Sequence, residues 1–292
     1  MAKRGGGQPR HKRARSRDGD RNRQQRAAKS PGLGDTGAAG TLKRPDYPDQ
    51  LEGRNLVLTA LGHSRRVREV WVDAGAKPCP KLAQIKELSE RHGNTWRTVA
   101  REELEAVSRA AIHNGVIGFA EPLPSRTLHD VLEGVDAKGR QPFVLLLDQV
   151  QYEQNLGAVL RSAACSGVDV VVTPTRRGAS LSANAQRVAM GAAEQVPVVR
   201  ESMMSALAIL RRRGIRVIAA EAEAGQAYFD VDLTGPLALV MGGEDHGVGA
   251  KIRERADQLV NIPIRGDVVT SLNVSVATGV LLFERLRQQQ SG

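Results

Sequence analysis

The chain has 292 residues, 41% hydrophobic and 25% charged, enough to bury one large core or two moderate ones. Its net charge of +10 is concentrated: residues 1–30 hold eleven Lys or Arg against Asp18 and Asp20, while the other 262 residues carry 31 basic and 30 acidic groups. Two cysteines, Cys79 and Cys165, and six histidines without helical pair spacing exclude a disulfide framework and give no expected metal site. No run suits a signal peptide, a transit peptide or a membrane span, so a cytoplasmic protein is expected.

Residues 1–48 read as a basic tail. Up to about Gly40 it is rich in Gly, Arg, Gln and Ser and too poor in large apolar side chains to offset chain entropy, which predicts disorder. Its cluster from Arg10 to Arg17 would neutralise phosphates without sequence preference; a solubilising extension fits equally well. Residues 50–121 read as a small α/β unit. Helices are expected over 56–61, 80–92 and 102–111, and strands over 69–73 and 115–120. Residues 122–141, with Pro122, Pro124, Gly134 and Gly139, read as a linker.

Residues 142–290 alternate apolar strands with helices. Strands are expected over 143–147, 168–172, 196–199, 215–220, 237–241 and 259–264, with helices over 183–193 and 205–213 and a last one from Leu272. Continuous apolar strands separated by helices argue for a parallel sheet covered on both faces. In such sheets ligands sit beyond the carboxyl ends of the strands. Three motifs fall there.

The first carries Asn155, Gly157 and Arg161 after the strand 143–147. Alone, Asn155 reads best as the cap of a helix beginning at Leu156, Gly157 as a close-packing position, and Arg161 as a solvated cation. The second, Gly242, Gly243, Glu244 and Gly247, closes the strand 237–241. It is neither a Gly-x-Gly-x-x-Gly fingerprint nor a phosphate loop; a tight turn with a carboxylate is the plain reading. The third runs from Ile262 through Ser271, Leu272, Asn273 and Ser275 to Gly279. Ser271 could cap the last helix, on which Leu272, Val276, Gly279, Phe283 and Leu286 share one face. Helix propensity does not explain so many small and polar residues in an apolar segment.

In this order and spacing the motifs resemble the SpoU (TrmH-like) family of RNA 2′-O-methyltransferases. The resemblance implies a SPOUT-type fold with a C-terminal trefoil knot, a homodimer whose interface borders the site, RNA as substrate and S-adenosylmethionine as cofactor. It implies catalytic roles for Arg161, Asn155, Glu244, Ser271 and Asn273, and cofactor binding by Gly242, Ile262 and Leu272. Residues 50–121, with Gly53, His113, Asn114 and Gly115, are more loosely similar to a ribosomal-protein-like RNA-binding module fused to these enzymes; His113 fits a turn equally well. A basic patch at Arg65, Arg66 and Arg68 could meet phosphates, although a solvated helix end is the simpler reading. Two departures stand out: Tyr152-Glu153 replaces the Asp-Pro of many relatives, and the loop from Pro263 to Ser271 is one residue longer than in bacterial relatives.

The implied reaction moves a methyl from a sulfonium to a ribose 2′-hydroxyl. It requires alignment of the reactants and stabilisation of charge on the hydroxyl oxygen. A guanidinium is effectively always protonated, so Arg161 is expected to orient and stabilise that oxygen rather than remove its proton. The family members most similar to this chain methylate a guanosine of the large-subunit (23S) ribosomal RNA. A tRNA guanosine is the alternative within the family, and a non-catalytic RNA-binding ribosome-assembly factor the alternative outside it. A dinucleotide-dependent oxidoreductase is weaker, because the glycine fingerprint and its downstream acidic residue are both missing.

Overall fold

The computed structural model describes residues 43–64, 66–109, 112–244, 246–266, 268 and 270–291. The expected basic tail therefore lies outside the described residues as far as residue 42, and so does Arg65. The last tail residues are packed: Tyr47 sits against the core of Trp71, Leu104, Ile117 and Phe119, and Arg44 donates to Gln50 Oε1 at 3.0 Å.

The first half builds β1 (Asp49–Glu52), α1 (Arg54–His63), β2 (Val67–Asp73), α2 (Pro80–His92), β3 (Thr95–Val99), α3 (Arg101–Val107) and β4 (Val116–Ala120). The strand order is β1-β4-β2-β3, with only β2 and β3 parallel. Helix α2 matches its expected bounds, with Pro80 in the first turn and Gly93 in the left-handed region at φ 70° beyond the last. Helix α3 stops at Val107, short of the expected end, because Ser108 turns extended.

Two strands went unread in the sequence. Strand β1 is polar yet buried, and Gln50 Nε2 satisfies itself on Glu52 Oε1 at 2.7 Å and the Val107 carbonyl at 2.8 Å. Strand β3 buries only Val99 and so has no alternating apolar pattern to read.

Residues 122–141 are a linker only in part. Residues Leu128–Asp136 form a helix, α4, opened by Thr127, whose hydroxyl accepts the Asp130 N–H at 3.2 Å. Leu128, Val131 and Leu132 pack against Val144 and Leu146 of the second sheet. Gly134 sits inside this helix rather than in a turn.

The second half contains β5 (Phe143–Asp148), α5 (Glu153–Ser166), β6 (Val170–Thr173), α6 (Ala183–Ala189), β7 (Val198–Arg200), α7 (Met203–Arg212), β8 (Arg216–Ala220), β9 (Leu237–Gly242), α8 (Ala250–Arg253), β10 (Gln258–Val260) and α9 (Val274–Ser291). The expected parallel sheet is present, ordered β10-β8-β9-β5-β6-β7 with every pairing parallel. Phe143, Leu145 and Leu147 of β5 pack with apolar residues of α5 and α9, and Val144 and Leu146 with those of α4, α7 and α8. That two-sided burial is why the strands read as unbroken apolar runs.

The helix that closes the fold turns towards the core a face other than the one shared by Leu272, Val276, Gly279, Phe283 and Leu286. Val274, Thr278, Leu281, Leu282 and Arg285 of α9 are buried, whereas Leu272, Val276 and Phe283 are 41%, 53% and 47% exposed. Arg285 lies 4.0 Å from the Phe143 ring centroid and donates to the Gly235 carbonyl at 2.8 Å; burial pulls its pKa down to about 10. Among the described residues no helix is long and apolar enough to cross a membrane.

The small sheet is fastened to the large one by a buried ion cluster. Arg66 donates to Glu194 Oε1 at 2.6 Å, Asp49 Oδ2 at 2.7 Å, Gln186 Oε1 at 3.3 Å and the Glu121 carbonyl at 2.7 Å. Beside it, a Cβ on Gly191 would fall 2.4 Å from Thr59 Cβ of α1, so backbone and helix meet directly. The expected basic patch is thereby corrected: Arg66 faces inward, and Arg68 pairs with Glu121 at 3.6 Å. Arg66→Ala leaves the buried Glu194 uncompensated and is expected to cost about 3–5 kcal/mol in a urea unfolding titration.

Candidate functional site

The β5–β9 register sets Asp148 directly beside Gly242, so two of the three motif-bearing strands end together. Asp148 Oδ2 accepts the Gly249 N–H at 2.9 Å and pins the loop that follows β9. Within that loop the Gly247 N–H reaches the Gly243 carbonyl at 3.1 Å. A Cβ on Gly242 would lie 2.1 Å from the Gly247 carbonyl carbon, and one on Gly243 2.4 Å from the Gln149 carbonyl oxygen. These glycines are therefore imposed by backbone-on-backbone approach, and they fix where Glu244 stands.

Three predicted residues from distant parts of the chain form one polar chain. Asn273 Nδ2 donates to Asn155 Oδ1 at 3.2 Å, and Asn155 Nδ2 donates to Glu244 Oε1. The local cap readings are corrected. Helix α5 begins at Glu153 after Tyr152, so Asn155 is its third residue and its amide points across to Glu244 and Asn273. Asn273, not Ser271, caps α9: its Oδ1 accepts the Ser275 N–H at 2.9 Å and hydroxyl at 2.6 Å. Gly157 has the packing role expected, since a Cβ there would stand 2.6 Å from the Ala185 carbonyl oxygen of α6.

Two cavities meet at this chain. One, of about 490 Å³, lies beyond the ends of β8, β9 and β10; Gly242, Ile262, Ser271 and Leu272 line it. The other, of about 600 Å³, is lined by Tyr152, Glu153, Asn155 and Asn184. Glu244 and Asn273 belong to both.

Arg161 lines neither cavity. It stands six residues beyond Asn155, about 9 Å along α5, exposed and without a hydrogen bond or ion pair among the described residues.

Sequence reasoning missed Asp148 and Asn184. A carboxylate ending a buried apolar strand was the available signal for Asp148; nothing local marks Asn184. The unusual Tyr152-Glu153 pair is at the rim. Tyr152 is 62% exposed, and Glu153 accepts the Ser182 hydroxyl at 2.5 Å and the Ser180 hydroxyl at 3.2 Å. Asp245, Asp267 and Val269 lie outside the described residues.

The chain matches known families along both of its halves. Residues 142–283 match the SpoU rRNA Methylase family, and residues 50–126 match the family described as RNA 2′-O ribose methyltransferase substrate binding. The 23S rRNA (guanosine-2′-O-)-methyltransferase RlmB of Xanthomonas campestris is 42% identical over 82% of this chain and 96% of its own length. The protein of the same name from Escherichia coli K12 is 39% identical over 77% of this chain and 91% of its own. The chain belongs to the SpoU rRNA methylase family.

A solved RNA 2′-O ribose methyltransferase, 27% identical, superposes with a TM-score of 0.70 over 82% of this chain and 88% of that one. The S-adenosylmethionine complex of the SpoU methyltransferase AviRb from Streptomyces viridochromogenes, 23% identical, has the same fold at a TM-score of 0.70, covering 83% of this chain and 91% of its own. As a SpoU member this chain is an RNA 2′-O-methyltransferase that uses S-adenosylmethionine.

The 490 Å³ cavity fits that cofactor chemically. Met241, Val260, Ile262, Ile264 and Leu272 offer an apolar bed for a planar base, and Glu221, Glu244, Ser271 and Asn273 supply a polar rim. Gly242→Ala forces the 242–248 backbone apart. It is expected to weaken S-adenosylhomocysteine binding at least about tenfold in calorimetry and to lower stability by about 1–3 kcal/mol.

Proposed function

We propose that the chain methylates the ribose 2′-hydroxyl of a guanosine in 23S ribosomal RNA, in the cytoplasm and as a homodimer. The single observation that carries the reaction is the junction of the two cavities at Glu244 and Asn273. A cofactor held in one and a ribose entering the other would meet only there. The substrate is supported by the relatives named above, which match along more than nine-tenths of their own length.

When bound, S-adenosylmethionine supplies an electrophilic methyl on its sulfonium. The protein's own work is alignment and charge stabilisation. In this reading Asn273 fixes the Asn155 amide, which in turn fixes the Glu244 carboxylate at the junction. Ser271 lies on the cofactor side with Leu272 and Ile262, and Gly242 sets the strand-end loop. Arg161 orients the ribose oxygen and stabilises its developing negative charge. Its exposed position off the cavities is consistent with that role if the substrate, or a second copy, completes the site.

The homodimer is supported by the exposed apolar face of α9. Leu272, which is exposed just ahead of that helix, lines the cofactor cavity, so a partner covering the face would border the site. The trefoil knot belongs to the same reading, supported by chain-distant residues, Glu221, Gly242, Ile262 and Leu272 among them, that converge on one cavity. The small sheet serves as the RNA-docking domain, joined by the basic residues 1–30.

Labelled methyl transfer to protein-free 23S RNA, followed by nuclease mapping, should yield 2′-O-methylguanosine; label in tRNA alone would overturn the substrate. Arg161→Ala should lower kcat about 100- to 1000-fold without changing the unfolding midpoint, because the exposed side chain has no hydrogen bond or ion pair among the described residues to lose. Near-normal turnover in that variant would remove Arg161 from the mechanism. Phe283→Asp should shift the sedimentation coefficient from dimer to monomer, and a monomeric wild type would remove the interface. Deleting residues 1–40 should flatten the salt dependence of RNA binding; an unchanged slope would dismiss the tail.

A further inference from the structure

One carboxylate in the cofactor cavity has an oxygen that receives no hydrogen bond among the described residues. Glu221 directly follows β8, its side chain is 17% exposed, and its Oε2 is buried without a hydrogen bond. Arg253 Nη1, at 3.5 Å, sets an opposite charge beside that oxygen but stops short of a hydrogen bond. Buried carboxylate oxygens are normally satisfied by donors, and leaving one bare costs more than most hydrogen bonds contribute. The other acidic side chain lining this cavity among the described residues, Glu244, already receives the Asn155 amide.

We infer that Glu221 accepts hydrogen bonds from the ribose 2′- and 3′-hydroxyls of the adenosyl group, an inference that rests on reading the 490 Å³ cavity as the S-adenosylmethionine site. The Glu221 N–H donates to the Val260 carbonyl at 2.9 Å, which sets the residue beside the segment that carries Ile262. Across the cavity, a Cβ on Gly247 would lie 3.6 Å from Glu221 Oε1, so the carboxylate spans towards the 243–247 loop. Strand β9 separates β8 from β5 in the sheet, which puts Glu221 about 10 Å from the strand that leads into Asn155. The sulfonium belongs at the Glu244–Asn273 junction, so the nucleoside end extends towards β8. A carboxylate offers only acceptors and a vicinal diol offers two donors. An acidic residue beyond a parallel strand engages a ribose in the same way in dinucleotide sites of unrelated folds.

The test is a calorimetric binding cycle with S-adenosylhomocysteine and its 2′-deoxy and 3′-deoxy analogues, on the full chain and on Glu221→Ala and Glu221→Gln. The wild type should lose roughly 10- to 100-fold in affinity for each deoxy analogue. Glu221→Ala should bind the parent that much more weakly and lose nothing further with the analogues. Glu221→Gln, which keeps one acceptor oxygen, should fall between. Equal wild-type affinity for parent and analogues overturns the inference, as does undiminished discrimination in a folded Glu221→Ala. Failure of the wild type to bind the parent at all would instead overturn the cofactor-cavity reading, and this inference with it. Unfolding midpoints of both variants within a few degrees of wild type show that an affinity loss is not a folding defect.

Discussion

The structure depends on the shared direction of its six-stranded sheet. Because every pairing is parallel, every strand delivers its carboxyl end to one edge, and whatever follows a strand is gathered there. The pairing of Asp148 with Gly242 then fixes the relative height of the two central loops. Asn155, Glu244 and Asn273 are far apart in the chain, yet each comes shortly after a strand of this sheet, so the topology alone brings them near one another. The glycine contacts supply the last few ångströms. With Gly242 backed against the Gly247–Val248 backbone and Gly243 against Gln149, the loop bearing Glu244 has almost no alternative path.

Much of this was legible in the residues. The central strands announce themselves as unbroken apolar runs because they are buried on both faces. Helix α2 is legible because Pro80 and Gly93 punctuate it at both ends. Legibility fails where stabilisation is not apolar or not local. Strand β1 is buried through the hydrogen bonds of Gln50 and Glu52, which no hydrophobic pattern records. Helix α4 was hidden by Gly134 within it, Gly139 beyond it and the prolines ahead of it, although Leu128, Val131, Leu132 and Val135 follow helical spacing and are buried. Helix α9 carries apolar residues on two faces, and periodicity cannot say which one meets the core.

The site shows the same division. The motif residues are conspicuous because they interrupt apolar segments, so the candidate set could be assembled from the sequence. Their geometry could not. Taken locally, Asn155 and Ser271 are helix caps, and only the folded chain shows the Asn155 amide bridging Asn273 and Glu244 while Asn273 takes the cap of α9. Asp148 reads as the end of a strand until its carboxylate is seen holding Gly249. A hydrogen bond between side chains so distant in sequence leaves no periodic trace.

The Arg66–Glu194 joint has a consequence for how the two halves find one another. A buried ion pair stabilises little beyond what a well-packed apolar contact would give, since both charges lose their water. Its effect on the alternatives is much larger. A small sheet docked one turn out of place would strand Glu194 against protein with no guanidinium to meet it, and Thr59 would no longer face the bare backbone of Gly191. The joint therefore discriminates among orientations more than it strengthens one, as a keyed shaft does compared with a glued one.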